Sequence, residues 1–170
     1  MSTWEDAIRG FLARGPGKWP GIPPGAADSI QILKERTAGN RGLAAVRGVS
    51  RDGRGLFGIV ELQRAADDEW RAVGGNWGLE SPRRSGDGDP WANFAGAWGP
   101  QGCWAGGHVF GPVHHVRMVD ASGERVVEDT VENGVALLML DAPCRAGTVE
   151  LYDAAGALLR VQPHAPPHQG

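Results

Sequence analysis

The chain has 170 residues, 41% of them hydrophobic and 22% charged, a balance that suits a globular protein and excludes a disordered one. Its net charge of −3 supplies no field to hold a polyphosphate, so no nucleic-acid partner is expected. The 27 glycines and 12 prolines favour many turns between short strands over long helices.

The first element is a helix. Trp4, Ile8, Phe11 and Leu12 form one apolar stripe at helical period, Ser2 and Glu5 read as a capping box, and Gly15-Pro16-Gly17 ends the run. The stripe has no Lys/Arg enrichment opposite it, so it is read as a packing face and not as a membrane surface. Glu5, Asp6, Arg9 and Arg14 interrupt any apolar leader segment, and no run is long enough to span a bilayer. A cytoplasmic location is therefore expected, with Cys103 and Cys144 as free thiols. Gly15 to Gly25 is an extended connector in which Trp19 and Ile22 are candidate anchors.

Residues 29–77 read as a β-meander. Ser29 to Arg36 fits either a strand or a short helix capped by Asp28. Leu43 to Ser50 and Leu56 to Leu62 flank Asp52-Gly53, a two-residue hairpin signal. That turn sets Val49 opposite Leu56, Val46 opposite Ile59, Leu43 opposite Leu62 and Phe57 opposite Gly48. Apolar residues on both faces predict a central hairpin covered twice, with the helix on one side. Trp70 to Val73 adds a strand that Gly74-Gly75 should end.

Gly78 to Gly107 shows no sustained periodicity and contains eight glycines with Trp91, Phe94, Trp98 and Trp104. Asp89-Pro90 reads as the start of a short helix that would place Trp91, Phe94 and Trp98 on one side. So long a connection with three Trp is either a binding surface or a plug for the core.

Residues 108–162 form a second meander. Val116 to Gly123 resembles Val149 to Gly156, and each ends in Asp-x-x-Gly, the mark of a three-residue hairpin turn. The second copy would set Leu151 opposite Leu159, Val149 opposite Val161 and Glu150 opposite Arg160. Asn133-Gly134 reads as a type I′ turn between two further strands. Residues 163–170 read as a flexible tail.

Few motifs carry chemistry. Gly53 to Val60 matches the glycine-rich loop of protein kinases, but it opens a strand and no Lys follows Lys34. No P-loop, nucleophile elbow, zinc-protease helix or C-x-x-C occurs. His108, His114 and His115 lie close in sequence, and the bulged turn would set His115 across from Asp129. His115 and Asp129 are thus the catalytic candidates, and His108 and His115 the metal candidates, although a strand sends His114 and His115 to opposite faces. Asp67-Asp68-Glu69 reads as a solvated loop, and Glu124, Glu128 and Glu132 as a water-facing set.

These readings converge on an α+β fold, mainly antiparallel. It has an N-terminal amphipathic helix and two β-meanders sharing one core, as a sandwich or strongly bent sheet within a single domain over residues 1–162. The preferred function is a non-catalytic binding module using Trp91, Phe94, Trp98 and Trp104, with no cofactor and a protein or small molecule as ligand. The alternatives are a small metal-dependent or hydrolytic enzyme centred on His108, His115 and Asp129, and an assembly protein, such as a homodimer, that pairs through a sheet edge.

Overall fold

The amphipathic stripe forms the expected helix, α1 (Trp4–Ala13), in a computed structural model that describes residues 4–13, 29–50, 52–80, 88–145 and 147–164. Glu5 and Asp6 in the first turn suit the helix dipole, and Glu5 also pairs with Arg9 at 2.6 Å. The connector anchors Trp19 and Ile22 lie outside the described residues, as does the Ser2 cap. No helix among the described residues is long and apolar enough to cross a membrane. The chain divides into two compact units, Met1–Ser81 and Pro82–Gly170.

In the first unit α1 precedes a four-stranded antiparallel meander of β1 (Gln31–Ala38), β2 (Arg41–Val49), β3 (Gly55–Arg64) and β4 (Trp70–Leu79), in that spatial order. The ambiguous segment is therefore a strand from Gln31 onward. Ile8 and Leu12 of the helix are buried with Ala44, Val46, Leu56, Val60, Leu62 and Trp77. Burial of the two aliphatic helix residues contributes about 1.5–3 kcal/mol each. Trp4 lies over Gly42, where a side chain would collide with its ring, and packs on Trp70 at 4.7 Å. The stripe is thus a packing face. On the opposite face Leu43, Ala45 and Ile59 are buried too, as the doubly covered hairpin required.

The register of that hairpin differs from the expected one by a residue. The Gly53 N–H donates to the Ser50 carbonyl (2.9 Å) and the Ser50 N–H to the Arg54 carbonyl (2.8 Å), which closes a three-residue loop instead of a two-residue one. The Ser50 hydroxyl also accepts the Arg54 N–H, and Gly53 supplies the left-handed residue at φ 83°. Leu56 consequently lies across from Gly48, Ile59 from Ala45, Leu62 from Gly42 and Phe57 from Arg47. Nor does Gly74-Gly75 end β4. The strand continues to Leu79, and the ladder shifts between Glu61 and Leu62. The acidic run is a hairpin loop as expected, with Asp67 and Asp68 paired to Arg71 and Arg64.

The second unit holds two sheets. One is ordered β5 (Trp91–Gly99), β6 (Gly102–Phe110), β9 (Val135–Leu140). The other is ordered β11 (Leu158–Pro163), β10 (Thr148–Tyr152), β7 (His115–Val119), β8 (Val126–Thr130). Ala92, Cys103, Ala105, Val109, Ala136 and Leu138 of the first sheet share a buried cluster with Val116, Met118, Val127, Val149 and Leu151 of the second. Two sheets closing on one cluster make a small sandwich. Asn133 (φ 51°) and Gly134 (φ 73°) form the expected type I′ turn, but β8 and β9, which flank it, belong to different sheets.

The echoed segments are neighbours. β7 and β10 pair antiparallel with Val116 across from Leu151, Arg117 from Glu150 and Met118 from Val149. The two copies are thereby related by a local two-fold through the Arg117–Glu150 pair, the position at which equivalent residues meet. The β10–β11 register follows the expected one only beside its turn, where Tyr152 faces Leu158. A bulge then shifts it, leaving Leu151 across from Arg160, Glu150 from Val161 and Val149 from Gln162.

Candidate functional site

The stretch expected to be an aromatic loop is mostly the β5–β6 hairpin. No helix begins at Asp89-Pro90; β5 starts at Trp91, so side chains alternate instead of sharing one side. Phe94 and Trp98 pack against the sandwich core, while Trp91 points away from it, 37% exposed, with the Arg160 guanidinium 4.7 Å from its ring. Trp104 is buried at 4% exposure. The four aromatics therefore do not make one surface.

The histidine candidates do not come together either. His108 is buried on β6, whereas His115 is half-buried on β7 in the other sheet. The loop after β7 has four residues, because the Asp120 N–H reaches the Arg125 carbonyl (2.9 Å). That length sets His115 across from Thr130, and Asp129 across from Val116. Asp129 Oδ2 instead accepts the Leu137 N–H at 2.7 Å, and His115 Nε2 lies 3.4 Å from Glu128 Oε2. The expected His115–Asp129 pair is thus replaced by a diagonal His115–Glu128 contact. Among the described residues no group of three or more His, Cys, Asp or Glu could hold a metal ion.

Around His115 lies an open depression of about 410 Å³ whose lining includes Arg117, Glu128, Thr130 and Tyr152. Several of its groups pair with one another, but the buried Arg117 Nε has no hydrogen-bond partner among the described residues. Arg117 lies 3.3 Å from Glu150 and 3.6 Å from Glu128, and the Tyr152 hydroxyl donates to Glu150 at 2.6 Å. That bond to a carboxylate raises the phenol pKa, with burial adding to it.

A larger cleft, about 680 Å³, opens at the other end of the same sandwich. Three loops build it. The β5–β6 turn supplies Trp98, Gly99 and Pro100; the β7–β8 turn supplies Asp120 to Ser122 with Glu124 and Arg125; and the β9–β10 loop supplies Pro143, Cys144 and Arg145. Trp98 is half-buried, with one edge against the buried His164 ring at 4.7 Å. His164, expected in a flexible tail, is held there because Gly96 leaves room for it; a Cβ at Gly96 would lie 2.6 Å from its Nε2. Burial pushes the His164 pKa down to about 4, so the ring beneath Trp98 is neutral.

The charges of this cleft are unequal in availability. Asp120 Oδ1 accepts the Ser122 hydroxyl (2.6 Å), the Ser122 N–H (3.1 Å) and the Arg125 N–H (3.3 Å). The Ser122 hydroxyl bond above all, then these backbone donors, hold its pKa below the usual carboxylate range. Neither Arg125 nor Arg145 forms an ion pair with an acid among the described residues. Two arginines thus line the same cleft as the Trp98 indole without an ion pair, although the Arg125 charge also helps to lower the Asp120 pKa. Sequence reasoning singled out Trp98 but missed both arginines, since they sit in turns where neither periodicity nor spacing marks them.

Cys103 and Cys144 are not free thiols here. They form a disulfide, with Cα atoms 6.0 Å apart, as the reach of such a bond requires. Cys103 lies on β6 directly across from Trp98, and Cys144 lines the cleft. No family model, no curated protein and no solved structure matches the chain.

Proposed function

We propose that the protein is a non-catalytic binding module whose ligand occupies the cleft bounded by Trp98, Arg125 and Arg145. The observation that carries this reading is the meeting, in one cleft, of a half-buried indole with two arginines that form no ion pair among the described residues. An indole face favours a flat apolar body, and a guanidinium fork favours a carboxylate or phosphate. The ligand class that suits both is a small aromatic acid. Of the aromatics first considered, Trp98 alone serves in this reading, because Trp104 is buried and Trp91 lies on the other face of β5. The cytoplasmic location expected from the sequence goes with it.

The alternative of an enzyme centred on His108, His115 and Asp129 gains no support, since the first two lie in different sheets and Asp129 is held by a backbone N–H. Saturation-transfer NMR with a panel of aryl carboxylates and aryl phosphates, 2-naphthoate among them, tests the proposal. Binding should weaken at least tenfold in Trp98→Ala and in Arg125→Ala/Arg145→Ala. Equal binding by wild type and Trp98→Ala would overturn it.

A further inference from the structure

We infer that the Cys103–Cys144 bond is a redox clasp on this cleft, holding the Arg145 wall in place when oxidised and releasing both wall and ligand when reduced. The inference rests on the cleft being the ligand site. It begins with the position of the two sulfurs. Cys103 is 3% exposed and sits across the β5–β6 ladder from Trp98, so it is fixed to the aromatic side of the cleft. Cys144 lies between Pro143 and Arg145, on the opposite wall. The bond therefore ties the two walls to each other.

Little else holds the second wall. It belongs to the loop that leaves β9 after Leu140 in one sheet and enters β10 at Thr148 in the other. Among the described residues that loop's backbone reaches the rest of the unit through two hydrogen bonds. One runs from the Ala121 N–H to the Arg145 carbonyl, at a long 3.4 Å, and one from the His164 N–H to the Gly147 carbonyl at 3.0 Å. Pro143 and Arg145 are themselves exposed. A segment with so few buried groups and hydrogen bonds sits at the low end of local stability, so its order depends on the covalent tie. Gly147 bounds the loss of order. A Cβ there would lie 1.9 Å from the Val119 carbonyl, so the loop is packed tightly at its β10 end and only its Pro143–Arg145 part is freed.

The chemistry is ordinary thiol–disulfide exchange with a cellular or added dithiol. One thiolate of the dithiol attacks Cys144 Sγ from the cleft, the Cys103–Cys144 bond breaks, and Cys103 Sγ leaves as a thiolate that takes up a proton. The second thiolate of the reagent then attacks the mixed disulfide. The reagent is oxidised to its own cyclic disulfide, and Cys144 is released as a thiol. Two electrons pass from dithiol to protein, and oxidation reverses the sequence.

The test uses the full chain in three forms: oxidised, reduced with dithiothreitol, and Cys144→Ala. Thiol titration of the denatured oxidised form should return no free thiols, and of the reduced form two. Amide hydrogen exchange should quicken at least tenfold over residues 141–145 on reduction and return on reoxidation, with β6 and β10 unchanged. The dissociation constant for 2-naphthoate should rise at least tenfold on reduction, and Cys144→Ala should bind weakly whether or not dithiol is present. Far-UV circular dichroism unchanged by reduction confirms that the sandwich stays folded. Equal 2-naphthoate binding in both redox states, or two free thiols after oxidation, would overturn the clasp and leave the ligand site standing. Absence of Trp98-dependent binding in the oxidised form would overturn the ligand site, and the clasp's role with it.

Discussion

Gln162 treats Ala92 as a neighbouring strand would. The Ala92 N–H donates to Gln162 Oε1 at 3.0 Å, and Gln162 Nε2 donates to the Ala92 carbonyl at 2.8 Å. One side-chain amide thus completes both backbone bonds at the edge of β5 and links the two sheets of the sandwich, seventy residues apart in the chain. Gln162 is buried, so neither group it leaves behind could turn to water easily. Gln162→Leu should therefore cost about 2–3 kcal/mol, from two lost bonds and an unsatisfied buried pair. A urea titration that shows less than about 0.5 kcal/mol would remove this link from the account of the fold.

The three tryptophans of the β5–β6 hairpin should separate cleanly on truncation. Trp104→Ala removes a buried ring and should destabilise by about 3–5 kcal/mol. Trp91→Ala removes an exposed ring whose partner is the Arg160 guanidinium, and should cost about 0.5–1 kcal/mol. Trp98, half-buried, should fall between them while carrying the effect on ligand binding. Denaturant midpoints for the three single mutants, read beside 2-naphthoate binding, check the order; similar losses at Trp91 and Trp104 would contradict it.

Gly58→Ala probes the first unit. A Cβ there would sit 1.8 Å from the buried Trp77 ring and 2.8 Å from the Asn76 carbonyl, so ring or strand must move. The expected cost is about 1–3 kcal/mol, as for other overpacked sites. Gly78→Ala on β4 meets nothing within 4 Å and serves as the control, expected to stay within about 0.5 kcal/mol of wild type. Thermal melts of both variants give the answer directly.

Acid sensitivity should trace partly to His164. Burial lowers its folded pKa to about 4, from the ordinary 6.5 of the unfolded chain. Between those values the unfolded chain binds a proton that the folded one refuses. Stability is consequently full above pH 6.5 and declines as pH falls toward 4. His164→Phe should flatten that part of the melting-temperature profile between pH 7 and 4.5. A wild-type slope retained in the mutant would assign the acid sensitivity to other groups.

Much of the architecture could be read from residues alone, where local chemistry decides it. The stripe from Trp4 to Leu12 forms the helix, Asn133-Gly134 forms its turn, and both Asp-x-x-Gly segments turn hairpins. Registers were harder. Ser50 lengthens one loop through its hydroxyl and a bulge beside Leu151 offsets another, and each single-residue shift moves every pair behind it. The site was hardest. Gly74 and Gly75 read as the end of a strand, and Gly106 and Gly107 fall in a stretch without periodicity, yet these glycines lie within β4 and β6. At Gly75 and Gly107 a neighbouring backbone carbonyl would meet any side chain, which is information about packing and not about the local chain. With the strands of the aromatic stretch hidden in this way, nothing in the spacing could bring Trp98 to Arg125 and Arg145.

The pairing of the two echoed segments has a consequence for how copies of this molecule avoid one another. Each segment could in principle match its own twin in a second chain as well as it matches its internal relative, because the apolar positions are alike. The position on the local two-fold breaks that equivalence. Within the chain it joins Arg117 to Glu150, opposite charges at 3.3 Å. Between chains, like segments in the same register would set Arg117 against Arg117, or Glu150 against Glu150, and like charges directly opposed on a sheet repel. The opposite charges at this position thus disfavour the pairing of like segments from two chains and keep each segment matched to its unlike relative.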